Sequence, residues 1–281
     1  MIINNNMTAK NAYRNLSDTN AKMSGSIEKL SSGVRLNRAG DDAAGLAISE
    51  KMRAQVKGLD AAIKNAQNGV SLIQTAEGSL FETHSILQRM RELSVQSSND
   101  TNTEGDRTKM QIEMDELRQE LDRIANNTEF NTKKLLNGDY SSNLDALSFH
   151  IGANKEQNLT TTLQKMDAEQ LGIAGNNKKQ SISITKVSDA ENAIKKFDKA
   201  IEIVSEERAR YGAIQNRMEH SINNLRIASE NMQAADSRIR DTDVAKEMME
   251  LSKDKIISES GASMLAQANT MPQEVLKLIK N

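Results

Sequence analysis

Several residue types that build ordinary globular cores are scarce in this chain. Of its 281 residues only 2% are aromatic, there is no tryptophan and no cysteine, and Pro272 is the single proline. Large rings supply much of the buried area of most domains, so a chain with so few of them cannot fill a thick core. The absence of cysteine excludes disulfides and leaves the redox compartment open.

The balance of charge and hydropathy excludes two classes of partner. Charged residues make up 27% of the chain, yet the net charge is only −2. Phosphate binding needs a surplus of lysine and arginine, so nucleic acid is not expected as the main partner. No apolar run approaches the ~18–20 residues that span a membrane.

Residues 1–10 are polar and lack the basic and apolar parts of a cleavable secretory signal. Composition alone therefore predicts a cytoplasmic chain.

The residues that are plentiful favour helices, and their spacing predicts where those helices lie. Apolar residues repeat in a 4-3-4-3 rhythm near both ends, which predicts coiled-coil packing of long helices. The expected long helices span about 46–98, 104–128 and 189–240, and a last helical segment follows. The first helix is expected to present one seam with a single polar member, Asn20, formed by Ala9, Tyr13, Leu16, Asn20, Met23, Ile27, Leu30 and Val34.

The middle of the chain follows a different, two-residue period that indicates strands. Leu147, Phe149 and Ile151 alternate with polar residues, and so does a second run over 159–163. This pattern predicts a hairpin with its turn at 152–155. A further short strand is expected at Ile182 and Ile184.

These elements predict a mainly α fold, a long antiparallel coiled-coil rod with a small β-hairpin region and both termini at one end. Two stacked domains are expected. Residues 1–32 and 242–281 form an inner coiled-coil domain, and the glycine-marked stretch 33–45 is a connector. Residues 46–241 form an outer helical domain with a β tip at about 140–188.

No constellation of residues in the chain indicates catalysis, a cofactor or a metal. The three histidines, His84, His150 and His220, lie far apart and have no carboxylate or cysteine at ligand spacing. Asp41 and Asp42 are adjacent, and turn formation or helix capping explains them better than catalysis. The 14 methionines are expected to fill seams, or else to serve surfaces that repack against several partners.

Particular runs at both ends of the sequence are those of a known family. They are IEKLSSG (27–33), RLNRAGDDAAGLAI (35–48), SLIQTAEG (71–78), LQRMRELSVQ (87–96), SRIRD (237–241) and MLAQAN (264–269). The chain closely resembles the bacterial flagellins over about its first 140 and last 90 residues. The middle is shorter than in many flagellins, and the tail at 275–281 is more basic than the family's usual leucine-rich ending.

The resemblance implies a structural subunit that polymerises into the flagellar filament for swimming, not an enzyme, with no cofactor. It implies export by the flagellar type III pathway without a cleaved signal peptide, to the extracellular flagellum. The implied partners are other copies of the chain, an export chaperone, the filament cap and the hook-associated junction proteins.

Two sets of site residues are expected. Filament packing is assigned to Leu16, Asn20, Met23, Ile27, Leu30, Leu265 and Leu276. The resemblance further implies a segment recognised by a vertebrate Toll-like receptor, formed by Gln88, Arg89, Glu92, Leu93 and Glu113. Residues 89 and 93 lie four apart and share one helical face. The alternative for this second set is that it serves filament contacts alone.

Two alternative functions differ in what the chain must contain. A hook–filament junction protein shares helical ends with flagellins but matches the runs at 35–48 and 87–96 poorly. A secreted enzyme on a coiled-coil carrier would need a catalytic insert, and residues 140–190 contain no cluster of acids, bases or metal ligands to form one.

Overall fold

The chain is mainly helical. The computed structural model describes residues 6–142, 144–174 and 182–280, with the backbone alone for 273–280. The helices are α1 (Met7–Ser32), α2 (Ala43–Ser97), α3 (Glu104–Asn127), α4 (Val187–Arg240) and α5 (Val244–Lys280). The strands are β1 (Glu129–Phe130), β2 (Lys133–Lys134), β3 (Leu147–His150) and β4 (Asn158–Thr161). The mainly α fold and the three long helices expected at 46–98, 104–128 and 189–240 are confirmed.

The chain packs into two units. Unit 1 comprises residues 1–55 and 230–281, and unit 2 comprises residues 56–229. Helices α2 and α4 each contribute residues to both units.

Unit 1 is built on an antiparallel pair of helices, α1 and α5. The Asn6 side-chain amide donates to the Ala268 carbonyl at 2.7 Å, near the start of α1 and far along α5. At the other end of the pair, Lys29 Nζ lies 3.6 Å from a carboxylate oxygen of Glu247. The antiparallel pairing predicted for the two ends of the chain is therefore present within unit 1.

Local sequence signals explain where α1 ends and α2 begins. Gly33 takes a positive φ of 72°, which a residue with a side chain adopts at a cost, and its N–H donates to the Lys29 carbonyl at 2.8 Å. An Asp42 carboxylate oxygen accepts from the Gly45 N–H at 2.9 Å, in the first turn of α2. Asp41 accepts from the Asn37 and Arg38 N–H groups, and these bonds lower its pKa. The capping and turn roles expected for the two aspartates are confirmed.

Unit 2 holds the hydrophobic core. Its helical segments pack fully buried side chains against one another, with Phe197 and Tyr211 of α4 as the largest of them. Thr103 and Asp106 form a capping box at the start of α3, where each side chain accepts from the other residue's N–H. Two of the seven rings of the chain thus lie where the packing is deepest, whereas Phe81 is 55% exposed.

The predicted hairpin is present as β3 and β4. The pair is antiparallel, with Leu147 opposite Thr161 and Phe149 opposite Leu159. The sequence interpretation put this region at a tip, whereas the hairpin lies against the side of α2. A Cβ on Gly58 would lie 3.0 Å from Ala153 Cβ, and one on Gly69 would lie 3.0 Å from a Phe149 ring carbon. The two glycines allow this close approach.

The structure differs from the sequence interpretation at two short segments. Ile182 and Ile184 are buried but form no strand, so that prediction was wrong. Side chains satisfy the Ile184 backbone instead: its N–H donates to Gln111 at 2.8 Å, and its carbonyl accepts from Ser97. The β1–β2 pair was not predicted. It turns through Asn131 and Thr132, both at positive φ, as a type I′ turn requires.

Candidate functional site

The contact between α1 and α5 is a heptad seam made largely of small and polar residues. On each helix the positions that lose solvent exposure repeat at steps of three and four, as in a coiled coil. On α1 the repeat is formed by Ala9, Ala12, Leu16, Thr19, Met23, Ser26 and Leu30, and Gly25, Glu28 and Lys29 beside it are also partly covered. On α5 they are Glu247, Leu251, Asp254, Ser258, Gly261, Leu265 and Ala268. Such a seam removes little apolar area from water, so it stabilises the pair weakly by itself.

The predicted packing residues divide into those on this seam and those beside it. Leu16, Met23, Leu30 and Leu265 lie on the seam. Tyr13 is 64% exposed and Ile27 is 50% exposed. The residue before each of them, Ala12 and Ser26, lies on the seam instead.

The polar member of the predicted seam has a partner across the pair. Asn20 is exposed, and its side-chain oxygen accepts from the Ser258 hydroxyl at 2.9 Å. The side chain of Leu276 lies outside the described residues. The filament contacts assigned to these positions stay a prediction.

A second apolar stripe on α5 was not identified from the sequence. It lies off the seam, and its members recur at seven-residue steps from 249 to 256 and from 257 to 271. We call this set the outer stripe; it consists of Met249, Ile256, Ile257, Met264 and Met271. The sequence could have predicted this stripe, because α5 has more apolar residues than a single buried seam can account for.

The two units differ sharply in how they treat large apolar side chains. Among the described residues, Leu36 is the one hydrophobic residue of unit 1 that is fully buried, and all the others belong to unit 2. Most of the exposed large apolar side chains belong to unit 1, where Ile256 is 67% and Met264 66% exposed. Exposed apolar side chains gathered on one face of a helix are typical of interaction surfaces.

The second set of predicted residues surrounds Arg89 on α2 in unit 2. Its guanidinium donates to Glu113 on α3 at 2.9 Å and to Glu92 at 3.2 Å. These hydrogen bonds raise the pKa of Arg89 and keep the charge paired. The side-chain amide nitrogen of Gln88 is hydrogen-bonded to Nε2 of the His84 ring at 3.0 Å. Four of the five predicted residues lie at the surface: Gln88, Arg89, Glu92 and Glu113.

Leu93 does not join them. It is 1% exposed and packs in the core of unit 2. Four residues correspond to 400° of an α-helix, so Leu93 is turned about 40° from Arg89. That rotation is enough to carry it from the surface into the core.

The described residues contain no group of three or more potential ligands that could hold a metal ion. A groove between α2 and α3 contains Glu120, but Arg123 binds both its carboxylate oxygens, at 2.7 and 2.5 Å, and lowers its pKa. A carboxylate held in this way is a poor proton donor or acceptor at neutral pH. None of the described helices is long and apolar enough to cross a membrane.

Comparisons with known proteins identify the family of the chain. Residues 3–141 match the bacterial flagellin N-terminal helical region, and residues 194–279 match the bacterial flagellin C-terminal helical region. The chain is 51% identical to a flagellin of Halalkalibacterium halodurans and 50% identical to one of Bacillus subtilis, in alignments that cover 100% of each chain.

A crystal structure of Bacillus cereus flagellin, 29% identical, covers 58% of this chain and 88% of its own with a TM-score of 0.48. The full-length sequence similarity to the two flagellins of H. halodurans and B. subtilis favours the filament subunit over the junction protein that the sequence left as an alternative. The chain belongs to the bacterial flagellin family and is a structural subunit of the filament used for flagellar motility.

Proposed function

We propose that unit 1 is completed by other copies of the chain, which bury the outer stripe of α5 when subunits stack. The observation that carries this proposal is the contrast in burial between the units. Unit 2 encloses its own core, whereas unit 1 leaves Ile256 and Met264 facing solvent. In this view 1–32 and 242–281 form the inner layer of the filament, 33–45 connects the layers, and 46–241 forms the outer layer.

The proposed role is mechanical and requires no enzyme activity and no cofactor. Burying an exposed isoleucine contributes roughly 1.5–3 kcal/mol. Each subunit of an open helical polymer meets several neighbours, so individually weak contacts add up to a stable filament. The exposed positions Tyr13 and Ile27 of α1 are suited to the same use.

The same surface explains why the free chain would need partners before assembly. An exposed apolar stripe invites premature association, and an export chaperone that covers α5 would prevent it. The filament cap and the hook-associated junction proteins would meet the same helices at the two ends of the polymer. This route leads through the flagellar type III pathway, without a cleaved signal peptide, to the extracellular flagellum.

Replacement of Ile256 by glutamine tests the proposal. Ile256 is exposed in the single chain, so the variant should keep the circular dichroism spectrum and melting temperature of the monomer. Its critical concentration for seeded polymerisation should rise roughly tenfold to a hundredfold, because ~1.5–3 kcal/mol of burial per subunit is lost. Lys255→Gln, at the preceding exposed position, is the matched control and should polymerise normally. Normal filaments from Ile256→Gln by electron microscopy would contradict the proposal.

A second role, recognition by a vertebrate Toll-like receptor, is supported by the surface cluster around Arg89. An arginine held between Glu92 and Glu113 offers a fixed set of donors and acceptors to a partner, and arginine is common in binding hot spots. Gln88 extends this surface along α2. Leu93 would contribute only by supporting the helix from the core.

Arg89→Ala in purified monomer tests this role. The variant should fold normally, because the Arg89 ion pairs are exposed and contribute little to stability. Receptor signalling should fall by at least about tenfold, as expected when a hot-spot residue is truncated. Arg91→Ala is the matched control, since Arg91 is similarly exposed and pairs with Asp198 at 2.6 Å. Equal signalling by the two variants would refute the assignment.

A further inference from the structure

The methionines divide between the two units by exposure. The described methionines of unit 2 are all buried, none more than 8% exposed; they are Met90, Met110, Met114, Met166 and Met218. In unit 1 none of the described methionines is buried. The most exposed of them, from 49% to 67%, are Met7, Met248, Met249, Met264 and Met271. The thioethers that a solute can reach therefore lie in the unit that leaves its apolar surface open.

We propose that a hydroperoxide oxidises these exposed methionines in the free chain and that the resulting sulfoxides block self-association. The inference rests on the proposed role of unit 1 and adds a chemical control to it. Met249, Met264 and Met271 belong to the outer stripe itself. Their modification changes the surface that neighbouring copies would bury, while the core of unit 2 stays intact.

The reaction is an oxygen-atom transfer that needs no other reagent. The lone pair of the methionine sulfur attacks one oxygen of the hydroperoxide, an S–O bond forms and the O–O bond breaks. The sulfur loses two electrons, and the peroxide is reduced to water, or to an alcohol for an organic hydroperoxide, after the proton of the transferred oxygen moves to the leaving oxygen. The chain has no cysteine, so no thiol competes for the oxidant.

The consequence follows from the polarity of the product. A thioether is a flexible apolar group that fills gaps at an interface, whereas a sulfoxide carries a strong hydrogen-bond acceptor. Buried against a neighbouring subunit, that oxygen would lose its water without gaining a donor. In the filament the same sulfur atoms are covered by neighbours and react slowly. Oxidised chains are therefore excluded from growth, while chains already assembled are protected.

The experiment compares full-length monomer and filament exposed to hydrogen peroxide, with oxidation located by peptide mass spectrometry. In monomer, Met249, Met264 and Met271 should oxidise well before Met114 and Met218 of unit 2. The critical concentration of the oxidised monomer should rise at least about tenfold, equivalent to about 1.4 kcal/mol. Treatment with methionine sulfoxide reductases should restore the original value. Oxidation at these positions with an unchanged critical concentration would overturn the inference.

A variant with leucine at the five exposed methionines is the matched control. Leucine is close in size and apolar, so this chain should polymerise and should keep polymerising after peroxide. If it loses assembly after peroxide as the native chain does, another target is responsible and the inference fails. If the untreated variant does not assemble, reversal of the native chain's defect by the reductases decides the question.

Failure of the underlying proposal has a different signature. If unit 1 is not buried in the filament, Met264 and Met271 will oxidise as fast in filaments as in monomer. If unit 1 is buried but sulfoxides are tolerated, these positions will be protected in filaments while oxidised monomer still assembles. The two outcomes separate the role of the surface from its chemical control.

Discussion

Replacing Gly261 by alanine should tighten the α1–α5 pair. Gly261 lies on the α5 seam, and a Cβ at this position would lie 3.5 Å from Leu16 Cδ1 and 3.9 Å from Leu16 Cβ. Both distances are ordinary van der Waals contacts, so the added methyl group needs no rearrangement. It would fill space on a seam that otherwise consists mostly of small and polar residues.

The expected gain has two parts. Alanine in a helix interior is favoured over glycine by about 0.8–1.0 kcal/mol. A fully buried methyl group contributes about 0.8 kcal/mol, and the half-buried seam position suggests about half of that. The sum, about 1.3 kcal/mol, should lower the fraction of chains with an open α1–α5 pair roughly tenfold.

Limited proteolysis of the monomer measures this fraction, because cleavage follows the open population when opening is fast relative to cutting. Cleavage within α1 and α5 should slow roughly tenfold in Gly261→Ala. Gly25→Ala in α1 is the matched control, since no atom lies within 4 Å of its added Cβ and only helix propensity is gained. In a Leu16→Ala background the advantage of Gly261→Ala over this control should disappear. Faster cleavage of Gly261→Ala would refute the pairing.

Three further results are expected. Asn20→Leu should give filaments of altered shape or impaired export, because the Ser258 hydrogen bond and its effect on register are lost; normal swimming with normal filaments would contradict this. Protease should trim both ends of the monomer to a helical fragment of roughly 45–240, since unit 1 has little core; resistant ends in dilute monomer would count against it. Burial raises the pKa of the Glu207 carboxyl in the folded chain above its ordinary 4.5. The folded chain therefore binds this proton more tightly than the unfolded chain does, and it loses stability as pH rises from the unfolded pKa to the folded pKa. Glu207→Gln should therefore stabilise unit 2 near neutral pH but not in acid, as urea unfolding would show. Glu202→Gln, at an exposed position of the same helix that does not act on the Glu207 carboxyl, should show no such gain.

The helices could be predicted from sequence because their signals are local and repeated. Heptad spacing over 189–240 predicted the element, and α4 runs over Val187–Arg240. It predicted only part of the buried face: Phe197 and Tyr211 are buried, but Ala200 is buried in place of the expected Ile201. The β3–β4 hairpin was predictable for the same reason, since Leu147, Phe149 and Leu159 alternate with polar residues.

The elements that escaped prediction depend on contacts distant in sequence or on unusual turn residues. Ile184 looked like a strand residue, but Gln111 and Ser97 bind its backbone from two helices. The turn between β1 and β2 places Thr132 at a φ of 67°, which β-branched residues rarely adopt, so the sequence carried little turn signal there.

The candidate sites were predicted in part. A seam on α1 was predicted correctly, but two of its positions were wrong by one residue. Ala12 and Ser26 face α5 in place of the larger Tyr13 and Ile27, because small residues allow α5 to approach closely. The Arg89–Glu113 pair joins α2 and α3, and no local sequence pattern shows how these two helices align. The resemblance to the family was the reason for predicting that these two residues belong to one site. The burial of Leu93 depends on how α2 faces the core, which only the packed structure shows.

Hydrogen–deuterium exchange of the full chain, as monomer and as filament, tests the central proposal most directly. Backbone amides of α1 and α5 should exchange readily in the monomer and slow by at least about a hundredfold on polymerisation, equivalent to about 2.8 kcal/mol per subunit. Amides around Phe197 and Tyr211, in the core of unit 2, should change little. Equal exchange of α1 and α5 in monomer and filament would contradict the proposal that unit 1 is completed by its neighbours.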